Sequence, residues 1–190
     1  MNRRELLRTS LASALFAITG LLVNPRRAFA MGGTLPSLDQ PAPAFQLEGV
    51  APGAGNKPQA TRLDLSNFAG SWLVLYFYPK DFTGGCTLEA RRFQTDLAAY
   101  RAANAQVVGV SADDANSHAA FCDQEGLAFP LLADPGGVVS RSYGSWIPPF
   151  SQRHTFLIDP QGVLRARWLG VQPSSHSSEV LAELKRLQNI

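Results

Sequence analysis

The sequence predicts an α/β fold of three layers, a central mixed sheet with helices on both faces. Three observations lead there. Trp72 to Tyr78 is an unbroken run of seven apolar or aromatic residues, the pattern of a strand covered on both faces inside a sheet. Downstream, short apolar runs alternate with stretches of helical period. Near the end, Asp159-Pro160-Gln161-Gly162 separates two strand-like runs; Pro fixes φ and Gly lets it turn positive, so the runs should form a hairpin.

In order along the chain, Ala44 to Leu47 fits a short strand, and Val50 to Ala60, with two prolines and two glycines, reads as a loop. Pro79 ends the Trp72–Tyr78 strand because it has no N–H to donate. After Gly84-Gly85, Cys86 opens a helix in which Cys86, Ala90, Phe93 and Leu97 share one face. Ala105 to Val110 is a second buried strand, Asn116 to Glu125 a short helix stopped by Gly126, and Pro130-Leu131-Leu132 a third extended piece. Gly137 to Tyr143 fits another helix, His154–Asp159 and Val163–Leu169 form the hairpin, and Ser178 to Leu187 closes the chain as an amphipathic helix. That order is a thioredoxin-like arrangement. No internal repeat is present.

A chain of 190 residues with 45% apolar content suits one domain plus an appendage. The appendage is N-terminal. Arg3, Arg4 and Arg8 precede an uncharged run from Leu11 to Val23, followed by Ala28-Phe29-Ala30, the layout of a signal peptide cleaved after Ala30. The run is shorter than the ~20 helical residues that span a bilayer, so no stable membrane insertion is expected after cleavage. Asn2-Arg3-Arg4-Glu5-Leu6-Leu7-Arg8 resembles a twin-arginine signal, with an ordinary export signal as the alternative. Residues 1–30 are thus read as the signal, 31–42 as a Gly/Pro/Ser-rich linker and 43–190 as the folded domain. Export places that domain in a periplasm, or in a thylakoid lumen if the organism is photosynthetic.

Removing residues 1–30 lowers Lys+Arg from 17 to 12 and Asp+Glu from 15 to 14, leaving a net charge of −2. The basicity therefore belongs to the signal, and no Lys/Arg stripe remains for nucleic acid. Both cysteines, Cys86 and Cys122, remain, and an oxidising compartment permits a disulfide between them. His154 and His176 have no ligand spacing, so neither metal nor cofactor is expected. His118, one helical turn before Cys122, reads as a solvated surface histidine, with tuning of Cys122 as the alternative.

Cys86 follows a strand-loop-helix junction, where the unpaired N–H groups of the first helical turn favour negative charge. An ordinary thiol of pKa ~8.5 is only about 3% ionised at pH 7, so a nucleophilic cysteine needs such a position. Pro79-Lys80-Asp81-Phe82-Thr83-Gly84-Gly85-Cys86 contains Pro, three residues, Thr, two residues, Cys, and this resembles the peroxiredoxins. With Thr87-Leu88-Glu89 and Arg153-His154-Thr155-Phe156-Leu157-Ile158-Asp159, it is similar to the peroxiredoxin Q, or bacterioferritin comigratory protein, branch over roughly residues 36 to 190.

The resemblance implies a thiol-dependent peroxidase acting on hydrogen peroxide and organic hydroperoxides. Cys86 attacks; the Thr83 hydroxyl hydrogen-bonds peroxide and sulfur; Arg153 holds thiolate and peroxide oxygens; Pro79 shields the pocket; and Glu89 orients the arginine. Singly, each also has a plain structural reading: a strand terminator, a helix cap, a surface cation and a partner of the helix dipole. Many members resolve the Cys86 sulfenic acid with a cysteine five residues on, but Arg91 stands there, which leaves Cys122 as the resolving thiol.

Two intact helices on one sheet rarely bring cysteines to disulfide geometry, so the reduced fold is expected to hold the sulfurs apart until a helix opens locally. A thioredoxin-like reductant would complete the cycle, and an intramolecular disulfide makes a monomer sufficient. Trp146-Ile147-Pro148-Pro149-Phe150 fits either a collar over the pocket or a loop packed into the core. The rival readings are a thiol-disulfide oxidoreductase, which lacks its Cys-x-x-Cys, a copper-binding chaperone, which lacks paired cysteines, and a non-catalytic binding module with a structural disulfide.

Overall fold

The computed structural model describes residues 29–30 and 32–189. The expected export signal lies outside them except for Phe29–Ala30, which forms β1 and pairs with β2 (Gly33–Thr34). β3 (Gln46–Pro52) and β4 (Pro58–Asp64) form an antiparallel hairpin, whereas a short strand and a loop were expected between 44 and 60. β4 is the sheet's edge, where a proline costs no ladder hydrogen bond, and Pro52 faces Pro58 at the turn. The prolines and glycines that suggested a loop therefore mark the hairpin's end.

β5 (Trp72–Phe77), α1 (Gly84–Ala102), β6 (Ala105–Ser111), α2 (Ala115–Glu125) and β7 (Leu131–Ala133) follow as expected. α3 (Val138–Ser142) leads into a two-residue ladder, β8 (Trp146–Ile147) with β9 (Phe150–Ser151). The hairpin β10 (His154–Ile158) and β11 (Leu164–Leu169) and the helix α4 (His176–Gln188) complete the chain. The seven-stranded sheet has the order β11-β10-β5-β6-β7-β3-β4, with β5, β6 and β7 parallel and the other pairings antiparallel.

Alternation along β5 divides the core. Val74, Tyr76 and Tyr78 point to a cluster built with Phe93 and Leu97 of α1, Phe121 and Cys122 of α2, and Val180 and Leu184 of α4. Leu73, Leu75 and Phe77 point the other way, to Leu35, Phe45, Phe68, Val139 and Tyr143. Helices thus lie on both faces, but unequally: α1, α2 and α4 share one, and the short α3 with irregular chain covers the other.

Residues 32–42, expected as a linker, are fastened to the domain. Leu35 is 6% exposed and Ala42 7%. Gly32 bridges Ser145, Pro41 bridges Val163, and Asp39 N–H donates to the Leu164 carbonyl at 2.8 Å. Gly32 here serves close approach: a Cβ at this position would lie 2.6 Å from the Trp146 nitrogen.

Candidate active site

Cys86 is the third residue of α1, at the carboxyl end of β5 and 1% exposed. Arg153, which immediately precedes β10, donates from Nη2 to its sulfur at 3.3 Å and from Nη1 to Glu89 Oε2 at 2.5 Å. Gly85 makes room for this approach, since a Cβ there would lie 3.2 Å from Arg153 Nη2. The guanidinium is mostly buried and Glu89 is 1% exposed, so water screens little of the charge.

Burial pushes the Glu89 carboxyl up to about 7, even though the Arg153 charge and hydrogen bond pull it down. Glu89 Oε1 has no hydrogen-bond partner among the described residues, so no donor stabilises the anion at that oxygen. For Arg153, burial opposes the charge, yet Glu89 and the Cys86 sulfur outweigh it and raise its pKa.

Thr83 is the N-cap of α1, and its carbonyl accepts from Thr87 N–H at 2.8 Å. Its hydroxyl donates to the Lys80 carbonyl at 3.0 Å, which corrects the expectation that this proton reaches the sulfur. With the proton committed, the Thr83 oxygen is left as an acceptor. Pro79 is half-buried where the β5 ladder ends.

Cys122 lies in α2, 5% exposed, in the same hydrophobic cluster as Cys86. Both are free thiols, each within an intact helix. Burial first, and then Asp81, push Cys122 up to about 12. Arg91, in place of a nearer cysteine, pairs its Nε with Glu125 Oε2 of α2 at 2.5 Å.

Two groups beside the cysteines have roles that the sequence reading missed. Asp81, 3% exposed, accepts from Tyr78 Oη and Ser117 Oγ at 2.7 Å each and lies 2.9 Å from His118 Nδ1. His118 is fully buried, which corrects its reading as a solvated histidine. Its spacing was a usable signal: His118, Phe121 and Cys122 fall at i, i+3 and i+4, one face of a helix. Trp146 packs inward over Gly137, while Ile147 and Phe150 are 40% and 44% exposed, so the apolar segment is divided between core and surface.

Residues 38–167 match the AhpC/TSA family. The chain belongs to the AhpC/TSA family of peroxiredoxins. Peroxiredoxin Bcp of Xanthomonas campestris is 38% identical over 157 residues, covering 78% of this chain and 94% of that protein. Peroxiredoxin Bcp of Bacillus subtilis is 33% identical, covering 78% and 94%. Chloroplastic peroxiredoxin Q of Triticum aestivum is 39% identical over 132 residues, covering 67% and 59%.

Among solved structures, a mutant of Xylella fastidiosa PrxQ is similar with a TM-score of 0.69 and 30% identity, covering 80% of this chain and 99% of that one. The Xanthomonas campestris bacterioferritin comigratory protein, described for its alkyl peroxide reduction activity, has a TM-score of 0.66 at 34% identity, covering 74% and 90%. This peroxiredoxin is accordingly a thiol peroxidase with a thioredoxin-like fold.

Proposed function

We propose that Cys86 is the thiolate that attacks peroxide and that Cys122 resolves the product. The observation that carries this is the Arg153 guanidinium at 3.3 Å from the Cys86 sulfur, fixed from behind by Glu89, at the start of a helix. A cation and helical N–H groups face this one buried sulfur, where they can stabilise the negative charge that develops as the peroxide bond breaks. The thiolate attacks the terminal peroxide oxygen; an S–O bond forms, the O–O bond breaks, and alkoxide or hydroxide leaves carrying the electron pair. Arg153 faces that developing charge, the Thr83 oxygen accepts from the hydroperoxide O–H, and Pro79 keeps water from the sulfur.

Cys122 then attacks the sulfenic acid. An S–S bond forms, the S–O bond breaks, and the thiol proton leaves with hydroxide as water. A thioredoxin-like dithiol reduces the disulfide, and the protein works as a monomer after export. The arginine-led apolar run and the Ala-Phe-Ala site support export through the twin-arginine route.

The experiment is a peroxide titration of reduced protein followed by intact mass. One equivalent should produce a Cys86–Cys122 disulfide, and Cys122→Ser should accumulate sulfenic and then sulfinic acid at Cys86. Oxidation no faster than that of a free thiol would overturn the reading. Protein recovered from export-competent cells should begin at Met31 in the same spectra, whereas an intact Met1 end would rule out cleavage.

A further inference from the structure

The loop from Pro79 to Thr83 and the helix of the second cysteine are joined by a buried polar cluster. Asp81 N–H donates to Asp113 Oδ2 at 2.9 Å, ahead of α2, and the Asp81 carboxylate takes hydrogen bonds from Ser117 and His118 of α2. Hydrogen bonds from His118, Tyr78 and Ser117 outweigh the burial of Asp81 and keep its pKa below the ordinary carboxylate value. Beside it, the Phe82 ring packs edge-on against Phe121 at 5.1 Å between centroids. Phe82 itself has φ of 59°, a left-handed conformation that a bulky side chain adopts only when held there. Ser117, His118 and Phe121 therefore all grip the loop, and Cys122 is the next residue.

α2 has other polar ties, none of which reaches the loop. Lys57–Asp123 is exposed at both ends, and Arg91, 64% exposed, pairs with a Glu125 side chain that is 2% exposed. The hydrogen bonds to the Asp81 carboxylate are charge-assisted and dry, so they are a strong polar tie of the helix to the Pro79–Thr83 loop, added to the core packing of Phe121 and Cys122. Burial, and after it Asp81, push the Cys122 thiol up to about 12, so its thiolate is disfavoured while α2 stays packed.

We propose that Asp81 and His118 are positioning residues for the resolving step: their contact keeps α2 closed over Cys122 and sets how long Cys86 remains a sulfenic acid. The proposal rests on the reading of Cys122 as the resolving thiol. While α2 stays closed, a second peroxide converts the sulfenic acid to sulfinic acid, transferring one oxygen and leaving as alcohol or water. The contact thus determines the balance between disulfide and overoxidation. Tyr78 continues to hold Asp81 when His118 is removed, so the loop carrying Thr83 keeps its place.

The test mixes reduced full-length protein with hydrogen peroxide, quenches with acid at intervals and reads thiol, sulfenic, disulfide and sulfinic forms by mass. In His118→Ala, the disulfide should form about tenfold faster and sulfinic acid at high peroxide should fall in proportion, while Cys86 thiol disappears at the wild-type rate. His118→Asn restores an N–H near the Nδ1 position and should return the rate toward wild type. Ser117→Ala, which loses a single bond, should fall between, and it decides the matter alone if His118→Ala does not fold. An unchanged disulfide rate, or attack and disulfide formation slowed together, would overturn the proposal. Cys122→Ser, run alongside, separates the two claims: if its sulfenic acid is lost at the wild-type rate, the resolving role of Cys122 fails whatever the His118 variants do.

Discussion

Glu89 is a buried carboxyl that holds the arginine at the Cys86 sulfur, and its titration makes stability depend on pH. Below about pH 4.5 the carboxyl is protonated in folded and unfolded chains alike. Between 4.5 and about 7 the unfolded chain releases its proton first, so the folded state loses stability as pH rises, by about 3 kcal/mol in all. Glu89→Gln removes the titration, and its stability relative to wild type should improve by roughly that amount between pH 4.5 and pH 8 in urea unfolding. A difference independent of pH would show that burial does not raise this carboxyl. At this scale the meeting of Arg153 with Cys86 and Glu89 was expected from the resemblance to the peroxiredoxins, and the three side chains do lie together. The destination of the Thr83 proton was not, since Lys80 offers its carbonyl only once the loop has turned. His118 was misread because one helical turn of sequence does not show which face meets a neighbour.

At the scale of the elements, the space between α1 and β6 is set by Tyr76, which stacks on Phe93 at 4.7 Å and points its hydroxyl across Gly109. A Cβ at Gly109 would lie 2.8 Å from the Tyr76 oxygen and 2.7 Å from Leu131 Cδ2. Gly109→Ala should therefore destabilise by about 1–3 kcal/mol through overpacking, measured by chemical unfolding. A loss below about 0.5 kcal/mol would mean that the tyrosine can move aside. The strands and helices from Trp72 to Glu125 were legible because their apolar periods are strong. The β3–β4 hairpin was not, because Pro52 at the end of β3 and Pro58 at the start of the edge strand β4 give its turn the composition of a loop.

Over the whole molecule, the sheet has one face covered by three helices and the other partly closed by chain preceding β3. Leu35 belongs to that second core, so Leu35→Ala should cost about 2–5 kcal/mol by the same unfolding measurement, whereas a residue in a free tether would cost almost nothing. The sequence by itself determined the layered fold and the strand that leads to Cys86, while its resemblance to the peroxiredoxins pointed from Cys86 to Arg153 and Cys122. The fold follows from local periodicity, the site from motif residues matched to a family. Only the tertiary structure decided that Leu35 and Ala42 belong to the core, that Gly85 clears the path of Arg153, and that Asp81 joins the Cys86 loop to the helix of Cys122. Those depend on which surfaces meet when elements distant in sequence pack, and a buried carboxylate takes its partners from whatever donors that packing brings within reach.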